Sequence, residues 1–379
     1  MTPQRPIPLR GTRLQKDIER IVEETSGKLF QISIPAVRYY ILTDIMGRQD
    51  DDAIVRKTLG ECRKYRPRAR LLETLNPDGT WPLSRQRRLA EEKGPGPPIG
   101  WTYTTMLRNL YDLGEYQAAA SEGNIQACLE KLLSWQAEDG HIPGPTTDLF
   151  PLPHYNGYAI RMLLKFGMSG DPRVRKLFSW LLGLQRPDGG WVIPYMEDMR
   201  YLPQYKHMRS PDFMDLIARG AVPKYSPKDY YGTPSCTWTT LMVIRGLTHD
   251  ASNARSRQIL HGADFVLNHF FKKNYHASML KSEANWTKLK YPTYLGSGLC
   301  ALDILTHIGF GAADPRMEKP IKWLLSARSS DGFWSQSDRP HPEKDQWITE
   351  IALSILNRYA QSLRGEPFGI EAIMRKARR

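Results

Sequence analysis

The sequence predicts an all-α fold in which six helix pairs close into a single (α/α)6 toroid. Two observations lead to this prediction. A segment made of one amphipathic helix and a tight turn, Asp171 to Trp191, is repeated almost motif for motif at Asp314 to Trp334. Helices with one apolar stripe also alternate along the chain with helices that are apolar on nearly every side. Helices of the second kind belong inside and those of the first kind outside, and a closed ring buries both ends of the array. An open solenoid is the competing architecture, but its ends would need polar caps.

The repeated segment has the features of a helix that ends in a stapled turn. Asp171 is placed to cap the helix, and Pro172 occupies its first position. The apolar residues that follow keep helical spacing, namely Val174, Leu177, Phe178, Leu181 and Leu182. Asp188-Gly189 suits a turn that needs positive φ, and Trp191 is placed to fold back onto the helix end. A unit with one apolar stripe needs neighbours of its own kind, so the segment is typical of a repeat architecture.

The remaining elements follow in order along the chain. Residues 1–12, with three prolines, are predicted to be a disordered or extended arm, residues 13–362 the toroid, and residues 363–379 a basic tail. A long loop insertion spans 192–234. The predicted outer and inner helices pair as 13–30 with 34–46, 51–75 with 101–113, 117–135 with 155–166, 171–185 with 236–247, 252–271 with 293–308, and 315–327 with 347–360. Asp50-Asp51-Asp52 is interpreted as the N-cap of the third helix.

Composition is typical of a globular protein. The chain has 379 residues, 41% of them hydrophobic and 25% charged, and no apolar run approaches the roughly 18 residues that a membrane span needs. The first 25 residues contain no apolar signal region, so we expect a cytoplasmic protein. The net charge of +13 is concentrated at both chain ends, which argues against a nucleic-acid partner and leaves peripheral membrane contact through the basic tails open. Cys62, Cys128, Cys236 and Cys300 have no CxxC spacing and are predicted to be buried free thiols.

The turns of the repeats resemble a known motif. Gln185, Gly189 and Trp191 are spaced like the QW motif of squalene and oxidosqualene cyclases, and similar turns occur at Gln136 to Gly140, Arg328 to Trp334 and Leu75 to Trp81. The resemblance covers roughly residues 30 to 360. It is to the superfamily of terpenoid cyclases and protein prenyltransferase β subunits, and it implies the same toroid. In that family the motif is structural, so it implies little about activity.

The catalytic motifs of the family are missing from this chain. Asp50-Asp51-Asp52 lacks the Asp-x-Asp-Asp spacing of the cyclase acid. Prenyltransferases bind zinc through an Asp and a Cys two residues apart, and here Pro234 stands where Asp would precede Cys236. The Gly-Cys-Gly-Glu-Gln motif of thioester domains is also missing. We therefore expect no metal site and no cofactor.

The long connections run from outer to inner helices, at 76–100, 136–154, 186–235, 272–292 and 328–346, so they gather at one end of the predicted ring. The N-termini of the inner helices meet there, which favours an anionic group. The inner helices also begin with aromatic residues, which we predict to bind substrate: Trp101, Tyr103, Tyr155, Tyr158, Trp238, Tyr291, Tyr294 and Trp347. Aromatic residues at these positions would equally well fill the axis of the ring as core.

Two polar groups are candidates for chemistry at the same end. Asp345 precedes Trp347 by two residues and is a candidate general acid, with an N-terminal capping role as the alternative. His154, together with Tyr155, Asn156, His207 and Arg209, matches in residue type the set used by toroidal polysaccharide lyases, in which an Arg or Asn neutralises a uronate. Asp345 and His154 are the predicted catalytic residues, and Arg209 is a predicted substrate-binding residue.

The sequence is compatible with three functions. The first is a terpenoid cyclase-like or prenyltransferase-like protein that binds an isoprenoid or similar apolar small molecule among the aromatic residues. The second is a lyase or hydrolase acting on an anionic oligosaccharide. The third is a non-catalytic toroid that binds a protein partner. The sequence determines neither the reaction nor the oligomeric state.

Overall fold

The protein was analysed in a computed structural model that describes residues 13–92, 100–145, 148–276, 280, 282–337 and 339–376. The predicted N-terminal arm, 1–12, lies outside the described residues. In the described part the chain forms helices and loops with no β-strand, and one isolated bridge pairs Trp191 with Cys236. The all-α prediction is therefore confirmed.

The helices follow the predicted order. In chain order they are α1 (Arg13–Ile32), α2 (Pro35–Tyr40), α3 (Ala53–Lys64), α4 (Arg66–Glu73), α5 (Arg85–Glu92), α6 (Gly100–Glu115), α7 (Ile125–Ser134), α8 (Pro153–Lys165), α9 (Pro172–Gly183), α10 (Ser210–Ala218), α11 (Thr237–Leu247), α12 (Arg257–Asn268), α13 (Glu283–Trp286), α14 (Gly298–Ile308), α15 (Glu318–Ser326), α16 (Pro342–Leu363) and α17 (Ile370–Lys376). A π-helical turn, Ile41–Ile45, continues α2.

Some boundaries differ from the prediction. The helix predicted from 117 begins only at Ile125, because Gln117 has a positive φ of 59° and the residues between form turns. The helix predicted over 252–271 is the shorter α12, and the last inner helix begins earlier, at Pro342. Helix α10 lies inside the predicted loop insertion, and α17 lies inside the predicted basic tail.

The chain divides into two units. Unit 1 consists of Met1–Glu61, Leu267–Lys273 and Ser282–Arg379, and unit 2 of Cys62–Val266 and Asn274–Lys281. The predicted inner helices α2, α14 and α16 belong to unit 1, and α6, α8 and α11 belong to unit 2. Each unit is described by itself below.

Inner and outer helices differ in burial as the hydrophobic patterns predict. In α11 every residue except Trp238 is buried, whereas in α9 only Val174, Leu177 and Leu181 are buried. All four cysteines are buried and free, as predicted. The core of each unit therefore lies between its inner helices and one face of each outer helix.

The inner helices of unit 2 run parallel. At their N-terminal ends the Tyr103 ring of α6 contacts the Tyr155 ring of α8, with centroids 6.0 Å apart, and the next ring in α8, His154, lies 4.8 Å from Trp238 of α11. At the other end of the same helices, Glu115 of α6 accepts a 2.7 Å hydrogen bond from Arg161 of α8. The three N-termini therefore lie together at one end of unit 2.

The inner helices of unit 1 are also parallel. Tyr291, just before α14, stacks on Trp347 near the start of α16, and further along Asp303 of α14 bonds Arg358 of α16. Helix α1 runs antiparallel to α16, because Glu19 bonds Arg364 while Gln346 bonds the backbone at Ile34. The first and last long helices of the chain thus pack together within unit 1.

The tryptophans that follow the repeated turns fold back onto the preceding helix, as predicted. The indole Nε1 of Trp191 donates a 2.7 Å hydrogen bond to the carbonyl of Leu181, ten residues earlier, and Trp334 makes the same bond to Leu324. Gly189 has a φ of +93°, and a Cβ there would lie 2.7 Å from the His261 carbonyl oxygen. A positive φ and this close approach both require glycine.

In three of the four turns, the side chain of the first residue joins two outer helices. Gln185 donates to the Gly189 carbonyl inside its own turn and to the Gln258 carbonyl at the start of α12. Gln136 does the same for Gly140 and for Arg173 of α9. In unit 1, Arg328 donates to Gly332 and to Thr25 of α1. The motif is therefore a structural joint between successive outer helices.

Candidate functional site

The N-terminal ends of α6, α8 and α11, together with the residue that follows α7, carry a series of neighbouring aromatic rings, which we call the aromatic row. It consists of Trp135, Tyr103, Tyr155, His154 and Trp238. Neighbouring ring centroids are 6.1, 6.0, 4.7 and 4.8 Å apart along this order. Four of these five residues were predicted as site residues, and unit 2 brings them together.

Three polar atoms in the aromatic row are buried without a hydrogen-bond partner among the described residues. They are the Tyr103 hydroxyl, His154 Nδ1 and Trp238 Nε1. Buried polar atoms are nearly always paired, because an unpaired one retains the cost of losing its water. The row is therefore a surface that a ligand with an apolar body and a few polar groups would complement.

Two titratable groups of the aromatic row, His154 and Tyr103, are neutral at physiological pH. Burial between Tyr155 and Trp238 lowers the pKa of His154 to about 3, although an edge of the side chain remains partly exposed. Burial also raises the pKa of Tyr103. His154 therefore carries no imidazolium proton near pH 7, and the geometry gives it the role of a hydrogen-bonding group.

Trp101 and Tyr158, two further predicted site residues, contact residues outside the aromatic row. Trp101 is 39% exposed, with the guanidinium of Arg87 5.4 Å from its ring centroid. The Tyr158 ring lies 6.0 Å from Tyr111, over which Arg161 is placed at 4.7 Å. Tyr158 therefore connects the aromatic end of the inner helices to a charged group further along them.

This charged group lies toward the C-terminal ends of the same helices. Arg161 Nη2 donates to Glu115, and its Nε lies 3.4 Å from His249 Nε2. Burial alone would raise the pKa of Glu115, but Arg161 and Lys165 lower it below its ordinary value. The inner helices of unit 2 are thus aromatic at one end and ionic at the other.

The inner helices of unit 1 are likewise aromatic at one end, and acidic residues lie further along them. At the aromatic end, Tyr291 stacks on Trp347 at 5.4 Å and Tyr40 lies 5.6 Å from the same indole, whose Nε1 is buried without a partner among the described residues. Tyr294 is partly exposed nearby in the chain. One turn beyond Trp347 is Glu350, which is 5% exposed and accepts a 2.8 Å hydrogen bond from Ser354.

Glu350 is a buried carboxyl group beside other acids. Burial, with a further contribution from Asp44, raises the pKa of Glu350 well above its ordinary value. Asp303 pairs with Arg358 at 2.8 Å, so the local arginine already has a carboxylate partner. Glu350 therefore keeps its proton to a higher pH than an exposed glutamate does, and in the protonated state it can donate a hydrogen bond.

Asp345, a predicted general acid, holds the loop before α16. Its Oδ1 accepts from the Gln336 amide at 2.9 Å and its Oδ2 accepts from the His341 amide at 2.8 Å. Both oxygens thus have backbone donors. The N-cap of α16 is His341, so Asp345 lies inside the helix and is not its cap.

Arg209, a predicted substrate-binding residue, lies away from the aromatic row. It is exposed at the start of α10 and makes two hydrogen bonds, of 2.8 and 2.9 Å, to Asp212. His207 is also exposed. The structure does not join either residue to His154, so the set of residue types that suggested a lyase is not assembled as one group.

The long loop after Trp191 is anchored by a buried network. Arg186 donates to Asp198 at 2.7 Å and to the carbonyls of Tyr230 and Thr233. Tyr225 donates to the other oxygen of Asp198 at 2.5 Å. The loop is therefore fixed to the turn that carries Gln185.

Cys236, the position compared with the prenyltransferase zinc ligand, caps α11. Its sulfur accepts from the Thr239 amide at 3.5 Å and from Asn274 Nδ2 at 3.2 Å. Among the described residues no group of three or more His, Cys, Asp or Glu side chains has the geometry of a metal site. The residues around Cys236 do not fit a zinc ion.

Sequence reasoning missed the charged groups of the inner helices. Glu115, Arg161, Asp303 and Arg358 were included in apolar segments or passed over. They could have been recognised as charged residues within otherwise apolar helices. A charged side chain that is buried in this way must be paired. Trp135 was also missed, because it directly follows an outer helix and its contact with Tyr103 is a tertiary one.

No protein-family model matches this sequence, and a search of curated proteins finds no significant match. Among the described residues, no helix combines the length and apolar character needed to cross a bilayer.

Proposed function

We propose that the six helix pairs form one (α/α)6 toroid, and that its aromatic row binds an isoprenoid or similar apolar small molecule, as in the cyclases and prenyltransferases that the turn motifs resemble. Two observations support the toroid. Each unit has three parallel inner helices, and the last QW-like turn joins Arg328 to Thr25 of the first helix. An open solenoid would leave the first helix without this neighbour.

The aromatic row is the observation that carries the functional proposal. Five adjacent rings at one end of three parallel helices give an apolar surface with π faces, which suits an unsaturated chain or a cationic intermediate derived from it. In this proposal Tyr155 and Trp238 contact the apolar chain, and the Tyr103 hydroxyl and His154 bond a polar group of the ligand.

The reaction is not part of the proposal. His154 is neutral at pH 7, and both oxygens of Asp345 are engaged by backbone amides, so the proposal assigns neither residue as the proton donor. A carboxyl group with a raised pKa, such as Glu350, is a weak acid and suits hydrogen bonding better than protonation of an alkene.

A second candidate is binding of a sugar chain. The three buried polar atoms of the aromatic row that have no partner among the described residues favour sugar binding. Sugar hydroxyls would form hydrogen bonds with them while sugar rings stack on the aromatic faces. Against an anionic sugar, Arg209 is paired with Asp212 and separated from the row.

Tryptophan fluorescence titration distinguishes the two candidates. We expect farnesol to bind the wild-type protein, and Trp238→Ala to weaken binding about tenfold, in line with the loss of a large ring contact. Trp180→Phe, on outer helix α9 and outside the row, is the matched control and should bind as wild type. Tri-galacturonate should give no saturable signal.

Saturable binding of tri-galacturonate that is lost in Tyr103→Phe would replace the isoprenoid proposal with the sugar candidate. If Trp238→Ala binds farnesol as tightly as Trp180→Phe does, the aromatic row is not the site.

A further inference from the structure

Unit 2 exposes apolar side chains at one end only. Among its described residues, the large apolar side chains that are exposed are Leu89, Trp101, Leu149, Tyr231 and Tyr275, at 38% to 53% of their surface. Leu89, Leu149 and Tyr231 precede an inner helix of unit 2 in the chain, Trp101 is in the first turn of one, and Tyr275 follows α11. We call these five residues the docking face.

Contacts place two residues of the docking face, Leu89 and Trp101, beside the start of α6. Leu89 lies on α5, whose Arg87 donates to Thr105 in the first turns of α6 at 2.8 Å and lies over the Trp101 ring. Trp101 itself is the second residue of α6. Both side chains therefore lie at the N-terminal end of that helix.

The other three lie beside α8 and α11. Leu149 is followed by Phe150, whose ring packs on Tyr195 just before α8 begins. Asn274, next to Tyr275, accepts from the Thr237 amide at the first turn of α11. Arg186 lies over the Tyr231 ring and bonds the Thr233 carbonyl, three residues before the cap of α11. Because α6, α8 and α11 are parallel, the docking face lies at one end of unit 2.

Exposed basic side chains outnumber exposed acidic ones on the described part of the same segments. Arg85 and Arg88 accompany Leu89 on α5, and Lys224 and Lys228 precede Tyr231, while Asp148 lies next to Leu149 and Asp229 lies two residues before Tyr231. Helix N-termini add a positive field at this end. Nearby, α10 presents partly exposed Met214, Leu216 and Ile217, with only Phe213 buried. The surface is thus apolar and cationic together.

We propose that the docking face binds the surface of a membrane that contains anionic lipid. Apolar and aromatic side chains enter the headgroup region, while lysine and arginine contact the phosphate groups. A protein partner fits less well, because the centres of protein interfaces are depleted of lysine. This inference goes beyond ligand binding, since it rests on exposed residues that lie outside the aromatic row.

Flotation with lipid vesicles tests the proposal. We expect the full chain to float with an equal mixture of phosphatidylcholine and phosphatidylglycerol, more weakly with phosphatidylcholine alone, and less as salt is raised. Arg85→Gln with Arg88→Gln should weaken binding to the mixed vesicles by about fivefold for each charge. Leu89→Ser with Leu149→Ser should weaken it several-fold on both kinds of vesicle.

Two controls separate the docking face from other surfaces. Arg5→Gln with Arg10→Gln removes the same charge from the N-terminal arm, and Ile373→Ser removes an apolar side chain that is 48% exposed in unit 1. Both should float as wild type, and all variants should keep the wild-type Tm.

A full chain that fails to float with the mixed vesicles at low salt would overturn the proposal. Loss of flotation in the arm variant but not in the α5 variant would also overturn it, by assigning the contact to the basic arm. Trp238→Ala should still float, so failure of the ligand proposal and failure of this one give different results.

Discussion

At the scale of single residues, Glu350 shows how burial changes a side chain's chemistry. The carboxyl group is enclosed in unit 1 with Asp44 nearby and Ser354 as its hydrogen-bond donor. Its pKa is raised well above 4.5, so the folded protein retains a proton that the unfolded chain releases above that pH. The stability contributed by this group is fully present below about pH 4.5 and is lost as pH rises toward the folded pKa.

We therefore expect Glu350→Gln, which imitates the neutral acid, to be more stable than wild type at pH 8 and similar at pH 4. At pH 8 the variant should exceed wild type in free energy of unfolding by about 1.4 kcal/mol for each unit by which the folded pKa of Glu350 lies above the unfolded pKa. Only the part of that pKa shift that lies below pH 8 contributes. Urea denaturation at both pH values measures this difference. Glu23→Gln, at an exposed position on α1, should show no such pH dependence. Equal loss of stability in Glu350→Gln at both pH values would mean that the group is ionised in the folded protein.

At the scale of an element, the segment between Trp191 and α11 is an anchored loop. Arg186 and Asp198 are 5% and 2% exposed, and Tyr225 completes the network from the far part of the loop. Burial raises the pKa of Asp198 even though Tyr225 and Arg186 both donate to it. The ion pair between Arg186 and Asp198 holds the loop mainly because removal of one residue would leave the other charge buried without a partner.

Asp198→Asn should destabilise the protein by about 3 to 5 kcal/mol, since it leaves Arg186 buried without its counter-charge. The loop should also become cleavable by trypsin at Lys206, Arg219 or Lys224. Thermal denaturation and limited proteolysis measure the two effects. Asp229→Asn, exposed on the same loop, is the matched control. Wild-type stability with unchanged proteolysis in Asp198→Asn would show that the loop does not depend on this ion pair.

At the scale of the whole molecule, the joint between the last and first outer helices carries the proposed ring closure. Arg328 takes the place that Gln136 and Gln185 hold in the other turns, and its longer side chain reaches both Gly332 and Thr25. Thr25 is 1% exposed and donates in turn to the Gly332 carbonyl. These contacts lie within unit 1, at the two ends of the sequence.

Arg328→Ala should cost about 1 to 3 kcal/mol, because it leaves buried polar groups at this joint unpaired. Hydrogen exchange should rise in α1 and α15, as measured by mass spectrometry. Arg328→Gln, which restores the residue used in the other turns, should recover the bond to Gly332 and much of the stability. Exchange that rises in α15 alone would argue against a ring whose ends support each other.

The sequence by itself determined the principal helices, their order and their burial, whereas the shorter helices α5, α10, α13 and α17 were not predicted. Periodicity and turn chemistry are local, so α9, its Asp171 cap and the fold-back of Trp191 could be predicted from spacing alone. The same pattern distinguished the buried α11 from the half-exposed α9. Helix boundaries could not be predicted where they depend on the backbone conformation of one residue, such as the positive φ of Gln117.

Tertiary structure decided which polar residues act together. His154 and Trp238 are far apart in the chain and meet only because α8 and α11 are parallel, while Asp345 proved to hold a loop and Glu350 to be enclosed. Desolvation and partner choice depend on neighbours from other helices, and no local pattern encodes them. The sequence therefore predicted which helices the site is built on, and packing determined the protonation state and the partner of each side chain in it.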